Sequence, residues 1–374
     1  MPNVVNNEKK KIKVGMPPNL QFEVFIGTFL DKSKYEIVPL NVVDHKAVSK
    51  YAQNIHGEWC FPIKLHIAMY EKAIVEQGVE KIIAIVVNIC SYPFLIANLN
   101  KIIKKKFDFH PLFFKKTCVH SSFIIQAYKQ IKKLDPNYNF IKYLSKIPLA
   151  WRKRKVSYEI IQLYYNNLPK SKNSVLLKKE FNKFRNSFIN TESLKLSKIS
   201  VQKFKDFIKN NGTNNKIKFD ILVSGDLTLN LGDFTLFDLD IYFAKKGIRL
   251  VNPILDMNLC IIRKFSKHLR KSKKLLNNMF TSKNSNINVD INHSIEIDTF
   301  THIFKGIAKG TDGIIFAKPN MCSPSEHVSY ILKQNNYFNL PFVELTYDEH
   351  SGLNGIMTRL EAFINILEDR KNNK

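Results

Sequence analysis

Two stretches of this chain alternate short β-branched runs with segments of helical length, and the stretch between them has no strand-like run. That alternation constrains the fold more than any single residue does, because successive strand–helix units build a parallel sheet with helices on its faces. In the first stretch, residues 11–16 read as a strand ending at Pro17-Pro18, 20–30 as an apolar helix and 35–40 as a second strand. A turn at 57–60 then leads to a helix over 62–76. Residues 81–87 form a run too short and too uniformly apolar for an amphipathic helix, so they read as a buried strand. In the last stretch, strands are expected at 219–224, 247–251, 313–317 and 341–346. The chain closes in a helix over 358–368, with Leu360, Phe363, Ile364 and Leu367 on one face.

The expected fold class is α/β: two domains with mainly parallel sheets and flanking helices, 11–144 and 216–374, plus a basic helical insert at 145–215. In the insert, Val175-Leu-Leu, Phe181, Phe184 and Phe188 recur at helical spacing. Having neither cysteine nor strand, it is expected to pack on the outside or to extend one face. A length of 374 residues with 44% hydrophobic side chains suits two buried cores, and 13 Gly and 14 Pro without a short repeat exclude fibrous and low-complexity classes.

Charge narrows the partners. Residues 101–218 carry 28 basic and 6 acidic side chains, so +22 of the net +26 falls there. Only eight of the 58 basic residues are Arg, and the Lys, Asn and Ile richness matches the drift of an AT-rich genome. Nucleic-acid binding is therefore the less favoured reading, since Arg and aromatics are not interleaved on a recognised module. Residues 82–100 lack charge over about the length a bilayer needs. Asn88, Ser91, Tyr92 and Pro93 interrupt that stretch, which reads as strand, turn and helix, with no membrane span. Five cysteines, an odd number spread along the chain, do not form a disulfide framework. With a polar N-terminus carrying Lys9, Lys10 and Lys11, they point to a cytoplasmic location.

Ligands of open parallel sheets bind beyond the carboxyl ends of the strands. Cys90 and Cys322 each follow a strand, and Cys60 precedes a helix whose N-terminal amides favour a thiolate or an anionic cluster. Cys118, in a basic stretch, and Cys260, in an apolar one, read as structural. No Cys-x-x-Cys occurs, so spacing alone identifies neither a zinc site nor a ferredoxin-like cluster.

The run Asp312-Gly-Ile-Ile, Cys322-Ser-Pro, Leu345-Thr-Tyr-Asp-Glu-His-Ser-Gly-Leu-Asn-Gly355 and Thr358-Arg-Leu-Glu-Ala-Phe363 resembles the signature of the 2-hydroxyacyl-CoA dehydratase and benzoyl-CoA reductase superfamily, in particular its acyl-CoA dehydratase activase-related branch. Glu58-Trp-Cys-Phe-Pro-Ile-Lys64, Cys90-Ser-Tyr-Pro93, Lys13-Val-Gly-Met-Pro17, the segment from Gly225-Asp226 to Asp240-Ile241, and Gly247-Ile-Arg-Leu-Val251 are similar to further segments of that branch. Asn292-His-Ser-Ile-Glu296 stands where the superfamily has Gly-Gly-His-Gly-x-Glu. The likeness covers about 11–118 and 217–368 and leaves the insert uncovered.

The resemblance implies that Cys60, Cys90 and Cys322 hold an iron–sulfur cluster, either a 4Fe–4S cubane or half of a double cubane shared in a homodimer. It implies low-potential electron transfer to an acyl-CoA or other small substrate in an anaerobic setting. His293, Glu349 and Arg359 are the catalytic candidates. Asp348 and His350 would either position substrate with them or join Arg359 in an ion pair anchoring the last helix. The chain contains neither a Gly-x-x-x-x-Gly-Lys-Ser/Thr loop nor a Gly-x-Gly-x-x-Gly fingerprint, so an ATP-hydrolysing activase of the actin-like class is the expected partner. A non-catalytic electron relay and a basic nucleic-acid-binding protein are the alternatives.

Overall fold

The computed structural model describes residues 11–16, 19–40, 43, 45–52, 59–87, 108–114, 121–212, 216–225, 239–251, 295–334, 339–348 and 350–373. Two separate four-stranded parallel sheets are present, as the alternating pattern requires. The first contains β1 (Ile12–Met16), β2 (Tyr35–Pro39), β3 (Lys81–Val87) and β4 (Asp108–Phe114) in the order β2-β1-β3-β4. Its helices are α1 (Leu20–Gly27), α2 (His45–Tyr51), α3 (Phe61–Gln77) and α4 (Ser121–Leu134). Strand β4 was not legible in the sequence. It contains Pro111, which cannot donate to a ladder, and it stands outermost of the described strands, where that lost donor is tolerated.

Three helices follow: α5 (Phe140–Asn167), α6 (Ser174–Asn190) and α7 (Leu194–Asn211). Each begins on a polar cap. The Asn139 Oδ1 accepts from Ile141 N–H, the Asn173 Oδ1 from Leu176 N–H and the Ser193 Oγ from Leu196 N–H. The second sheet then assembles from β5 (Phe219–Gly225), β6 (Ile248–Val251), β7 (Gly313–Pro319) and β8 (Phe342–Tyr347), ordered β6-β5-β7-β8. Its helices are α8 (Leu239–Lys245), α9 (Ile295–Ile307), α10 (Ser323–Gln334) and α11 (Leu353–Asn372).

Because strand side chains alternate, the second sheet buries two separate faces. Leu222, Ile314 and Phe316 pack on Phe300, Ile303 and Phe304 of α9 and on Val328 and Ile331 of α10. Ile221, Val223, Ile315, Ala317 and Leu345 belong to a larger core with Leu360, Phe363, Ile364 and Leu367 of α11, the face that the sequence pattern anticipates.

That larger core runs on into the first domain, and the helical insert is what makes it continuous. Of the two placements expected for the insert, the outside or an extension of one face, its contacts fit the second, since it packs on elements of both α/β domains. Helix α5 packs on α1 and on β6, while α6 packs on α1, β2 and α8. Every residue of α1 is buried, including Gln21 and Glu23: the insert helices α5 and α6 pack on it, and Ile37 of β2 lies against Gly27. Phe25 of α1 and Phe29 just beyond it meet Trp151 and Tyr143 of α5 at ring separations of 5.5 and 4.5 Å.

Two buried carboxylates fasten the joint. Glu23 of α1, fully buried, takes a bidentate pair of bonds from Arg185 of α6, with Nε to Oε2 at 2.9 Å. On the other side Asp240 of α8, 1% exposed, accepts from Tyr164 Oη and Lys178 Nζ, both at 3.0 Å. Part of the insert's positive charge is therefore spent on buried acids of the two α/β domains. Lys153 of α5 is another buried cation. Its ammonium group donates to the carbonyls of Ile189 (3.3 Å) and Thr191 (2.8 Å) at the end of α6. Burial, with the charge of Lys32 nearby, still lowers its pKa to about 7.

Candidate functional site

The strand order of the second, all-parallel sheet reverses between β5 and β7, and the crevice beyond their carboxyl ends is where such folds bind ligands. Two backbone features shape this edge. Gly225, the last residue of β5, has φ +129°, and an added Cβ would lie 1.9 Å from the Ala317 carbonyl oxygen of β7. Only glycine lets the two strand ends approach this closely. Beyond β7, Met321 has φ +60°, a conformation that non-glycine residues rarely adopt and that concentrates at functional turns.

The next residue is Cys322, half-buried, whose carbonyl accepts from Glu326 N–H (2.9 Å) in the first turn of α10. The thiol thus stands at the carboxyl edge of the sheet, as its sequence context suggests, and also at a helix N-terminus, which that context did not reveal. The turn that carries it is tied to its neighbour. Asn320 N–H donates to the Tyr347 carbonyl of β8 (2.8 Å), and the Asn320 amide donates to Asp348 (3.4 Å).

Asp348 organises the adjoining turn into α11. Its Oδ1 accepts from His350 N–H and from Ser351 Oγ, both at 2.8 Å. Partial burial raises the Asp348 pKa, but the bonds from Ser351 and His350 outweigh it and hold the carboxyl below the usual range. Asp348 is therefore a turn-forming anion at neutral pH. His350 is exposed, and Arg359 lies on an exposed position of α11.

Behind this edge lies a charge network that inspection of the sequence missed. Lys318, 4% exposed at the end of β7, pairs with Glu344 of β8 (3.0 Å) and with Glu326 of α10. Glu344 also receives Lys333 (2.9 Å) and the Ser329 hydroxyl. Burial pushes the Glu344 pKa up, yet the bonds from Ser329, Lys333 and Lys318 bring it down to about 2. Burial likewise works against the Lys318 ammonium, and its two carboxylates reverse that, so its pKa is raised. The available signal was a lysine at the end of an apolar strand run. Its partners lie 8 and 26 residues away along the chain and are not apparent from local patterning.

In the first domain Cys60 is the N-cap of α3, half-buried against the main core, with its carbonyl accepting from Ile63 N–H (3.0 Å). Because α3 runs back to the start of β3, its N-terminus lies toward the carboxyl edge of the first sheet. Cys90, Cys118, Cys260, His293 and Glu349 lie outside the described residues. Among the described residues, no three of His, Cys, Asp and Glu form a group able to hold a metal ion. No described helix is long and apolar enough to cross a membrane. No protein-family model and no curated protein matches the chain.

Proposed function

We propose that this chain is an iron–sulfur protein of the 2-hydroxyacyl-CoA dehydratase type, with Cys60, Cys90 and Cys322 as the residues that would hold the cluster. The observation that supports it most is positional. Cys322 lies three residues beyond the third strand of the second sheet, and Cys90 stands three residues beyond the third strand of the first. Cys60 supplies a further thiol at a helix N-terminus on the carboxyl side of the first sheet. The partial positive charge of a helix N-terminus favours thiolates and the net negative charge of a thiolate-ligated cluster. The donor chemistry of the two described cysteines therefore fits the group.

When bound, such a cluster supplies one-electron chemistry at low potential. The chain's own residues set the frame around it. Asn320 and Asp348 hold the turn that leads to Cys322, and the Lys318–Glu344 network fastens α10 to β7 and β8. An acyl-CoA or other small substrate, a homodimer and an ATP-hydrolysing activase of the actin-like class complete the proposal.

Iron and acid-labile sulfide counting after anaerobic purification and reconstitution, with EPR of the reduced protein, tests it. Cys60→Ser, Cys90→Ser and Cys322→Ser are each expected to remove most of the iron, and Cys118→Ser to leave it bound. Iron retained in all three variants, or no sulfide-bound iron in the wild type, overturns the assignment. A cluster reduced by activase and ATP without turnover of any acyl-CoA makes the chain an electron relay.

A further inference from the structure

At the opposite end of the second sheet, where β5 and β6 begin, the insert and the second domain enclose a half-open cavity of about 580 Å³. Five lysines line it: Lys172, Lys216, Lys218, Lys245 and Lys246. They come from three separate stretches, namely the turn before α6, the lead into β5 and the turn before β6, and no carboxylate lines the cavity with them. We propose that this cavity is a binding site for a small molecule bearing a diphosphate group. The inference is independent of the cysteine assignment.

The walls are built rather than accidental. Lys172 N–H donates to the Asn211 carbonyl (3.0 Å), and Lys218 N–H donates to the Gly247 carbonyl (2.8 Å). Gly247 has φ +74°, which sets the turn that carries Lys245 and Lys246. Ser174 and Val175, in the first turn of the 17-residue helix α6, also face the cavity and bring its positive end to the same place. Like charges gathered in a concave site with low-dielectric walls raise the local potential, and with it the concentration of anions.

The composition of the wall selects the ligand. All five cations are lysines, which bind phosphate as point charges, and five of them exceed what one phosphate can engage. The volume is within the usual range for small-ligand clefts. No aromatic side chain lines the cavity, so the stacking platform that single-stranded nucleic acid requires is missing from its wall. Leu168, Pro169 and Val175 offer an apolar strip for the organic part of an ester.

Calorimetric titration of the full chain with pyrophosphate, with ADP, with inorganic phosphate and with a single-stranded DNA 12-mer tests the proposal. Pyrophosphate and ADP should bind more tightly than phosphate. If ADP exceeds pyrophosphate, the ligand is an organic ester, and if the two are equal, the diphosphate alone is recognised. K172E/K245E should weaken both by about tenfold or more, and K172A/K245A by about threefold. Lys129→Glu, an exposed change on α4 of the first domain, should leave both unchanged. Circular dichroism establishes folding of each variant. The proposal is overturned if pyrophosphate binds no better than phosphate or if the cavity variants bind it normally. It is equally overturned if Lys129→Glu weakens binding as much as they do, or if the 12-mer binds more tightly than ADP, which would mark a non-specific polyanion surface.

Discussion

The two α/β domains share a strand plan and differ in what covers it. Each sheet is parallel and places the strand that comes first in the chain second in the order, with the next strand on one side and the two later ones on the other. The second sheet is closed by its own helices, α9 and α10 on one face and α11 on the other, with the insert adding to that second face. The first sheet lends α1 to the insert so completely that no residue of α1 reaches solvent to any extent. The same topology thus gives one domain that carries most of its own cover and one that borrows it. The loan is secured by charge, because a buried carboxylate needs a paired cation and the insert supplies one to each domain.

That difference can be broken in graded steps. Replacing residues 140–211 by a short flexible linker should unfold the first domain and leave much of the second protected. Hydrogen exchange resolved by region measures this, and uniform protection in both domains would refute the asymmetry. Arg185→Ala comes next, since it strands Glu23 in the core. A loss of about 3–5 kcal/mol is expected in urea unfolding, with part of it recovered in Glu23→Gln/Arg185→Met. Asp240→Ala should cost less, about 1–3 kcal/mol, because Lys178 can turn to water and only the Tyr164 hydroxyl is left buried without its acceptor. Equal losses at Arg185 and Asp240 would show that the joint is symmetric after all.

A further expected effect is one of pH. Lys153 has a folded-state pKa of about 7 and an unfolded one near 10.4, so between about pH 7 and 10 the unfolded chain binds a proton that the folded chain does not. Stability should rise with pH across that window. The groups that bear on Lys153 are Lys32, Lys146 and Glu192, and Lys32, itself lowered to about 8 by burial, acts in the same sense. Lys153→Met should flatten the rise without abolishing it, as read from denaturation midpoints at pH 7, 8 and 9. An unchanged slope would mean that Lys153 keeps its proton at neutral pH.

Local pattern by itself determined seven of the eight described strands. Lys81–Val87 and Phe219–Gly225 stand out because a short apolar run must be buried on both faces, and the face of α11 stands out because Leu360, Phe363, Ile364 and Leu367 repeat at the helical period. The positions of Cys60 and Cys322 at element ends follow from the same reading. Strand β4 was hidden by Pro111 and by the lysines on either side, which read as a solvated loop until a neighbouring strand is there to pair with it. What only the tertiary structure decided is every pairing over long sequence distance. Glu23 meets Arg185 across 162 residues, Tyr164 meets Asp240 across 76, and Asn320 meets Asp348 across 28. The lysine-lined cavity gathers residues 172, 216–218 and 245–246 in the same way. Periodicity reports which side of an element is buried and is silent about what buries it. The insert's lysines therefore read as a solvated surface, until the fold brought two of its cations onto buried acids and set Lys172 beside four lysines of the second domain around a cavity.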